Sequence, residues 1–216
     1  MKTIDTQMLL TQLNWRYATK KFDATKKIPQ DQWEALEEVL RLSPSSYGTQ
    51  PWKFLIVQDQ EVRKKLTPVT WNQAQVESCS HYVVITTLRK VTPEYLHKYI
   101  QRVAEVRGST LEQLQGFEAM LNKDLVQGPR SQTIAHWAQR QAYIAMGNLM
   151  NAAAFMGIDT CPLEGLEAEK YNEILGLQNS DYQVVAAVAC GYRSADDKYS
   201  QIKKVRFEKK DVIEHI

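Results

Sequence analysis

The stretch QTIAHWAQRQAYIAMGNLMNAAAF, residues 132–155, predicts the longest helix of the chain. Its second half is rich in alanine and glycine, and such small side chains let neighbouring elements approach a helix closely. Gly157 follows directly and is a typical helix stop. The sequence therefore predicts a long helix that ends before Gly157 and that other helices can approach closely.

Apolar runs rich in β-branched residues predict buried strands at 52–57, 81–87 and 182–192. The stretches between these runs are mostly helical, and CPLEG at 161–165 is predicted to be a loop. Helices are expected at the N-terminus after Asp5 or Thr6, after Pro29, and at 61–66, 72–79 and 167–175. Helices dominate, which indicates an α+β protein with a small sheet wrapped by helices.

A charged helical stretch at 93–123, broken near Gly108, is interpreted as an excursion from the core. The tail at 196–216 is basic in its first half and shows no clear helical period. No repeat, low-complexity tract or linker divides the chain, so residues 1–216 are predicted to form a single domain.

Composition argues against several classes of protein. The net charge of +2 is too small to indicate nucleic acid as the main partner. No apolar run reaches membrane-spanning length and the N-terminus lacks a signal-peptide pattern, so we expect a cytoplasmic protein without a membrane partner. Three cysteines without CxxC or zinc spacing predict buried thiols and no metal site.

The segment RLSPSSYGTQPWKF, residues 41–54, places many small polar groups between a helix and a buried strand. A connection that serves only the fold needs fewer residues and fewer hydroxyl groups. Residues 43–50 are called the serine loop below. Its hydroxyl and backbone N–H groups are candidates for binding a ligand.

The common nucleotide and hydrolase motifs are absent. The sequence has no GxGxxG after a strand, no GxxxxGK[ST], no GxSxG and no HExxH. A Rossmann dinucleotide site, a P-loop and an α/β-hydrolase are therefore disfavoured, and any nucleotide-like ligand must be held by other means.

Basic residues near both ends of the chain could bind a phosphate. Arg16 and Lys20 lie in RYATKKF, and Lys204 and Arg206 lie in KKVRF. Fixed cations with hydroxyl or amide donors suit a phosphate, provided that the fold brings the two ends together. Spacing alone equally fits two solvated basic segments, and PLEG at 162–165 equally fits a simple turn.

Taken together, RYATKKFD, LSPSSYGTQPWKF, MGNLMNAAAFMGIDTCPLEG and KKVRF resemble the four hallmark segments of the bacterial nitroreductase family, in the family's order. The nearest similarity is to the oxygen-insensitive nitroreductase/dihydropteridine reductase subgroup. The resemblance implies a nitroreductase-like fold with a mixed or antiparallel sheet, and an intertwined homodimer with two FMN at its interface. The excursion at 93–123 would lie over the active site, and the arm at 196–216 would pack on the partner subunit.

The resemblance also implies a cofactor site. The phosphate would be held by Arg16, Lys204 and Arg206, and Lys20 would tune the pyrimidine edge of the flavin. The partner subunit would supply part of the serine loop, and a backbone N–H of the PLEG loop would be directed at flavin N5. The implied cofactor-binding residues are Arg16, Tyr17, Ala18, Lys20, Pro44, Ser45, Ser46, Gly48, Asn72, Gln75, Gln141, Pro162, Leu163, Glu164, Gly165, Lys204 and Arg206.

The implied activity is oxidation of NADH or NADPH, with hydride passing through the flavin to a small planar acceptor such as a nitroaromatic or a quinone. The donor and acceptor would share one face of the flavin, which implies ping-pong kinetics. Tyr47 and Phe117 would border the substrate pocket, and no side chain is needed as an acid, base or nucleophile. Ala18, Gln75 and Gly48 depart from the pattern, so two alternatives stay open. One is a non-catalytic flavin-binding or sensor protein, and the other is a specialised enone, pteridine or dehalogenating reductase.

Overall fold

A four-stranded antiparallel sheet organises the computed structural model, which describes residues 3–216. The strands are β1 (Trp52–Val57), β2 (His81–Leu88), β3 (Asp159–Leu163) and β4 (Tyr182–Gly191), in the order β1-β2-β4-β3. The expectation of an α+β fold with a small sheet is confirmed. Residues 1 and 2 of the predicted domain lie outside the described part of the chain.

Strand β3 corrects one prediction. Cys161, Pro162 and Leu163 were expected to lie in a loop, but they pair with β4, and only Glu164 and Gly165 follow the strand. Proline has no N–H to donate, which disfavours it inside a sheet, yet β3 is an edge strand and tolerates it.

Nine α-helices accompany the sheet in the described part of the chain. They are α1 (Thr6–Trp15), α2 (Gln30–Arg41), α3 (Gln60–Leu66), α4 (Gln75–Ser78), α5 (Pro93–Arg107), α6 (Leu111–Asn122), α7 (Ile134–Phe155), α8 (Ala168–Ile174) and α9 (Lys209–Val212). None of them is long and apolar enough to span a bilayer.

Helix α7 lies against the sheet and against α2. Ala142, Ala145 and Ala153 are fully buried in one cluster with Val83 of β2 and Val188 of β4. Alanine at these positions lets the helix backbone approach the sheet closely. This contact fixes where the two ends of α7 lie relative to the strands.

The excursion consists of α5 and α6, which meet at Gly108 in the left-handed conformation (φ +66°). A capping box formed by Thr110 and Gln113 starts α6, and a π-helical turn at Lys123–Gln127 ends it. Buried Leu96 and Leu121 pack with Trp137 of α7 in a separate apolar cluster. The excursion is therefore anchored to the first half of α7 and is not merely a solvated hairpin.

A buried arginine fastens the ends of β1 and β2 on the other face of the sheet. The Arg63 guanidinium donates hydrogen bonds to the carbonyl oxygens of Val57 (2.7 Å), Cys79 (2.9 Å) and Ser80 (3.2 Å). His81 lies next along the chain, and its ring stacks on Trp33 with centroids 3.9 Å apart.

The environment of His81 predicts acid sensitivity. Burial, followed by the positive charges of Arg63 and Lys27, lowers the pKa of His81 from 6.5 to about 4. The unfolded chain then binds one more proton than the native protein between these values, so the free energy of unfolding falls as the pH drops from 6.5 to 4. We expect a loss of roughly 1–3 kcal/mol in urea titrations.

A matched variant isolates this residue. His81→Phe keeps an aromatic ring against Trp33 but cannot be protonated. We expect a flatter dependence of stability on pH over the same range. An equally steep dependence in the variant would assign the loss to the carboxylates instead.

Candidate functional site

The two ends of the chain meet in one cavity of about 380 Å³. One wall is the segment after α1 and the other is the first part of the tail. Among the predicted cofactor residues, this cavity brings together Arg16, Tyr17, Ala18, Lys20, Lys204 and Arg206. The condition that the sequence left open, that the fold must join the two basic segments, is met.

Three cations at this cavity repel one another. Burial, then the charge of Arg206, lowers the pKa of Arg16, while burial and the charges of Arg16 and Arg206 lower the pKa of Lys204. None of the ion pairs found in residues 3–216 involves these three cations, and the buried Nε of Arg16 has no hydrogen-bond partner. An anion at this position would reduce the repulsion between the cations and would accept a hydrogen bond from Arg16 Nε. These residues therefore fit the phosphate of a flavin nucleotide.

Lys204 also holds the tail in place. Its ammonium group donates to the carbonyl oxygens of Leu13 and Arg16 (2.5 Å for Arg16), at the end of α1. The last carbonyl groups of a helix lack partners within the helix and carry partial negative charge, so a cation there is stabilising. The ammonium group is thereby fixed beside Arg16.

Asp197 organises the segment that carries these residues. Its buried carboxylate accepts hydrogen bonds from the backbone N–H groups of Lys20 (2.8 Å), Lys21 (3.0 Å) and Tyr199 (3.0 Å) and from the Tyr17 hydroxyl (2.9 Å). Burial alone would raise the pKa of Asp197, but these hydrogen bonds outweigh it and lower the pKa. The aspartate stays ionised and joins residue 17 to the tail.

A buried ion pair supports the same segment from the sheet side. The Arg193 guanidinium donates to Oδ1 of Asp159 through Nε (2.9 Å) and Nη2 (2.5 Å). Its central carbon also lies over the Trp15 ring (4.1 Å to the centroid) and over the Tyr17 ring (4.6 Å). These contacts fix the direction in which the chain leaves α1.

Two of the implied cofactor residues, Lys20 and Gln75, both lie near Cys161 of β3. The positive charge of Lys20 opposes the burial that raises the pKa of the Cys161 thiol. The side-chain amide of Gln75 is buried, with Nε2 3.9 Å from Cys161 Sγ. The predicted site thus continues from the basic cavity along the edge of β3.

The turn before α4 approaches the loop after β3. Trp71 and Asn72 both have left-handed backbones (φ +52° and +53°), which is unusual for two successive non-glycine residues. The Trp71 indole lies against Gly165, where an added Cβ would stand 2.6 Å from Cε3. Gly165 is therefore required for this contact, and Trp71, which is 75% exposed, covers the loop.

The serine loop lies between the excursion and α7. The Ser46 N–H donates to the side-chain carbonyl of Gln141 (2.8 Å), and the Gln50 N–H donates to Ser45 Oγ (2.9 Å). Tyr47 and Gln50 have left-handed backbones (φ +59° and +50°). Each such residue costs about 1–3 kcal/mol and persists only where its surroundings fix it, most often at functional sites.

Helix α7 separates the serine loop from the loop that follows β3 within one chain. Gln141 holds Ser46, whereas the Tyr143 hydroxyl donates to the Glu164 carboxylate. Residues two apart on a helix point about 200° apart, so these contacts lie on opposite sides of α7. Pro44, Ser45, Ser46, Gly48 and Gln141 thus form one group, and Asn72, Gln75, Pro162, Leu163, Glu164 and Gly165 lie with the basic cavity in another.

Phe117 and Tyr47, the predicted pocket residues, both contact Tyr99 of α5. The Phe117 ring meets Tyr99 edge-on, with centroids 6.5 Å apart, and the Tyr99 hydroxyl donates to the Tyr47 carbonyl (2.7 Å). Tyr99 of the excursion therefore links Phe117 to the serine loop.

Sequence reasoning missed Asp159, Arg193 and Asp197. Aspartates in a basic tail, such as Asp196 and Asp197, are common surface residues, so no motif distinguished Asp197. Only the pairing of residues far apart in the chain shows that these three charges position the basic segment.

Comparison with known proteins identifies the family. Residues 13–192 match the Nitroreductase family. A Bacillus subtilis protein provisionally named NAD(P)H nitroreductase YfkO is 37% identical over 226 residues, which cover 100% of both chains. A Haemophilus influenzae protein with a similar provisional name is 35% identical over 205 residues, 91% of this chain and 92% of its own. The chain therefore belongs to the Nitroreductase family.

Solved structures share the fold. A provisionally named nitroreductase of Exiguobacterium sibiricum, solved in complex with FMN, superposes with a TM-score of 0.79 at 20% identity, covering 100% of this chain and 99% of its own. The enone reductase CLA-ER of gut-bacterial fatty acid metabolism gives a TM-score of 0.77 at 21% identity, covering 99% and 100%. The nitroreductase fold expected from the sequence is confirmed.

Asp197 provides a test of how the cavity is assembled. Asp197→Ala leaves its N–H and hydroxyl donors without their acceptor, and we expect a loss of about 2–4 kcal/mol in the free energy of unfolding, measured with urea. Asp196→Ala is the matched control, because Asp196 is exposed and its ion pair with Lys21 lies at the surface. That change should cost less than about 1 kcal/mol. Equal losses in the two variants would contradict the role assigned to Asp197.

Proposed function

We propose that this protein is an FMN-dependent NAD(P)H oxidoreductase that reduces nitroaromatics, quinones or similar planar acceptors by a ping-pong sequence. The observation that carries this proposal is the cluster of Arg16, Lys204 and Arg206, three cations without an acidic partner in the ion pairs of residues 3–216. Within this cluster, the buried Nε of Arg16 is an unpaired donor that an anion could accept from. Family membership and the FMN complex of a relative with the same fold support the choice of anion.

Bound FMN would supply the redox chemistry, taking hydride from NADH or NADPH and delivering it to the acceptor. The protein's own groups bind and orient. Arg16, Lys204 and Arg206 would hold the phosphate, and Lys20 would stabilise negative charge at the pyrimidine edge. The strained turn at Trp71 and Asn72, pressed against Gly165, would border the ring and offer the exposed indole to planar molecules.

The first experiment is the visible spectrum of the purified protein, before and after anaerobic NADH or NADPH. A flavin spectrum that bleaches with either nucleotide supports the proposal, and nitroaromatic, quinone and enone acceptors then define the reaction. A flavin spectrum that does not bleach supports a flavin-binding protein without turnover. Failure to bind added FMN would overturn the proposal.

The phosphate assignment predicts a large loss of affinity. Arg16→Ala combined with Arg206→Ala removes two charge-assisted contacts, each worth about 1.5–3 kcal/mol, so the dissociation constant of FMN should rise about 100-fold or more. Lys204 is left intact because it also anchors the tail to α1.

The control for this variant is Lys209→Ala. It removes a positive charge from the same tail, but Lys209 does not line the cavity. FMN fluorescence titration should show unchanged affinity in this control. Equal affinity in the double variant and the wild type would rule out the cavity as the phosphate site.

The complete site would require a homodimer. The serine loop and the basic cavity lie on opposite sides of α7 within one chain, so a second copy would have to supply the missing group. Apolar side chains are exposed along α7 and the tail, including Ile144 (43%), Val205 (83%) and Phe207 (81%). Strand β1 is also an edge strand, which leaves its outer backbone groups available for the partner's arm.

A single charge tests this assembly. Ile144→Asp would place a carboxylate in the proposed interface, and we expect monomers in sedimentation velocity together with loss of FMN binding. Val106→Asp is the control, since Val106 is similarly exposed but lies at the end of the excursion helix α5. A monomeric variant that keeps full FMN affinity would show that one subunit completes the site alone.

A further inference from the structure

We infer that Asp124 is a positioning residue for the cofactor site, which acts through the Tyr47 hydroxyl to hold the serine loop in its strained form. The inference rests on the proposed function, because it takes the serine loop to contact the flavin. Asp124 lies outside the serine loop and does not line the basic cavity. Its role is therefore assigned from its contacts alone.

The loop needs external support. Tyr47 and Gln50 adopt left-handed backbones, and Gly48 between them has φ +74°. Side chains disfavour this conformation, so the loop would relax if its neighbours did not fix it. Ser45 and Ser46 directly precede Tyr47, and their positions change if Tyr47 relaxes.

The side chain of Tyr47 ends in a polar clasp. Its hydroxyl donates to Oδ2 of Asp124 (3.0 Å), and the Arg130 Nε donates to the same oxygen (2.9 Å). Asp124 lies in the π-helical turn Lys123–Gln127 that ends α6. Such turns are rare and occur frequently at functional sites. The clasp consists of Tyr47, Asp124 and Arg130.

Two tyrosines of α5 hold the backbone of the same loop. The Tyr99 hydroxyl donates to the Tyr47 carbonyl (2.7 Å), and the Tyr95 hydroxyl donates to the carbonyls of Thr49 and Gln50 (2.8 Å each). An added Cβ on Gly48 would stand 2.6 Å from Tyr99 Oη, so a larger residue there would displace this hydroxyl. Glycine at position 48, a departure from the family pattern, is explained by this contact.

These contacts make the excursion and the serine loop one unit. Phe117, which the resemblance places at the substrate channel, packs against Tyr99, whose hydroxyl holds Tyr47. Helices α5 and α6 thus carry Phe117, a predicted substrate-pocket residue, and also support the serine loop, which is proposed to contact the flavin. Loosening the clasp should weaken FMN binding and raise the KM for acceptors, while kcat at saturating FMN and acceptor should change little.

A double-mutant cycle tests the clasp. FMN dissociation constants are measured for the wild type, Tyr47→Phe, Asp124→Ala and the double variant. We expect each single change to weaken binding about tenfold, and the double variant to bind no more weakly than the worse single variant, because both changes remove the same hydrogen bond. Unchanged affinity, or effects that multiply in the double variant, would overturn the inference.

Two further variants separate positioning from general damage. Asp124→Asn keeps an oxygen that can accept from Tyr47, so FMN affinity should stay within about twofold of the wild type. Glu118→Ala removes a different polar contact within the excursion, to His97, and should leave FMN affinity unchanged. Weakened FMN binding in Glu118→Ala would show that any loss of stability in the excursion lowers FMN affinity. That result would overturn the inference.

The outcomes also separate this inference from the proposed function. If the wild type fails to bind FMN, the proposed function fails. If the wild type binds FMN and the Tyr47→Phe and Asp124→Ala variants bind it equally well, only the clasp fails. Circular dichroism confirms that each variant is folded before its affinity is compared.

Discussion

The site depends on one buried carboxylate, that of Asp197, which joins the two ends of the chain. Three backbone N–H groups and one hydroxyl converge on it, from the segment after α1 and from the start of the tail. Without this acceptor, four partly buried donors would lose their partner, which is a costly arrangement. The basic residues on both segments therefore share one cavity because an acidic residue behind them holds the segments together.

The cavity contains contacts that lower the stability of the protein. Arg16, Lys204 and Arg206 repel one another, and the buried Arg16 Nε lacks a partner. The serine loop and the turn at Trp71 and Asn72 hold all the left-handed non-glycine backbones found in the described part of the chain. Repulsion and strain thus collect at the segments that the family resemblance assigns to the flavin, as expected where a fold is shaped for a ligand and not for its own stability.

Helix α7 packs in the core of the fold and also separates the two loops of the proposed site. Its small residues on one side allow close packing on the sheet, while Gln141 and Tyr143 reach loops on opposite sides. Because the two loops lie on opposite sides of α7, the proposed flavin site takes one of them from a second copy of the chain.

The sequence by itself determined the α+β class, the long helix, three of the four strands and, through its four hallmark segments, the family, because these depend on local patterns. It also supplied the basic residues near each end. Only the tertiary structure decided that those ends meet, that Pro162 lies in an edge strand, and that Asp159, Arg193 and Asp197 position the site. Such facts depend on contacts between residues far apart in the chain, and no local pattern of charge or hydrophobicity encodes which distant partner a side chain will find.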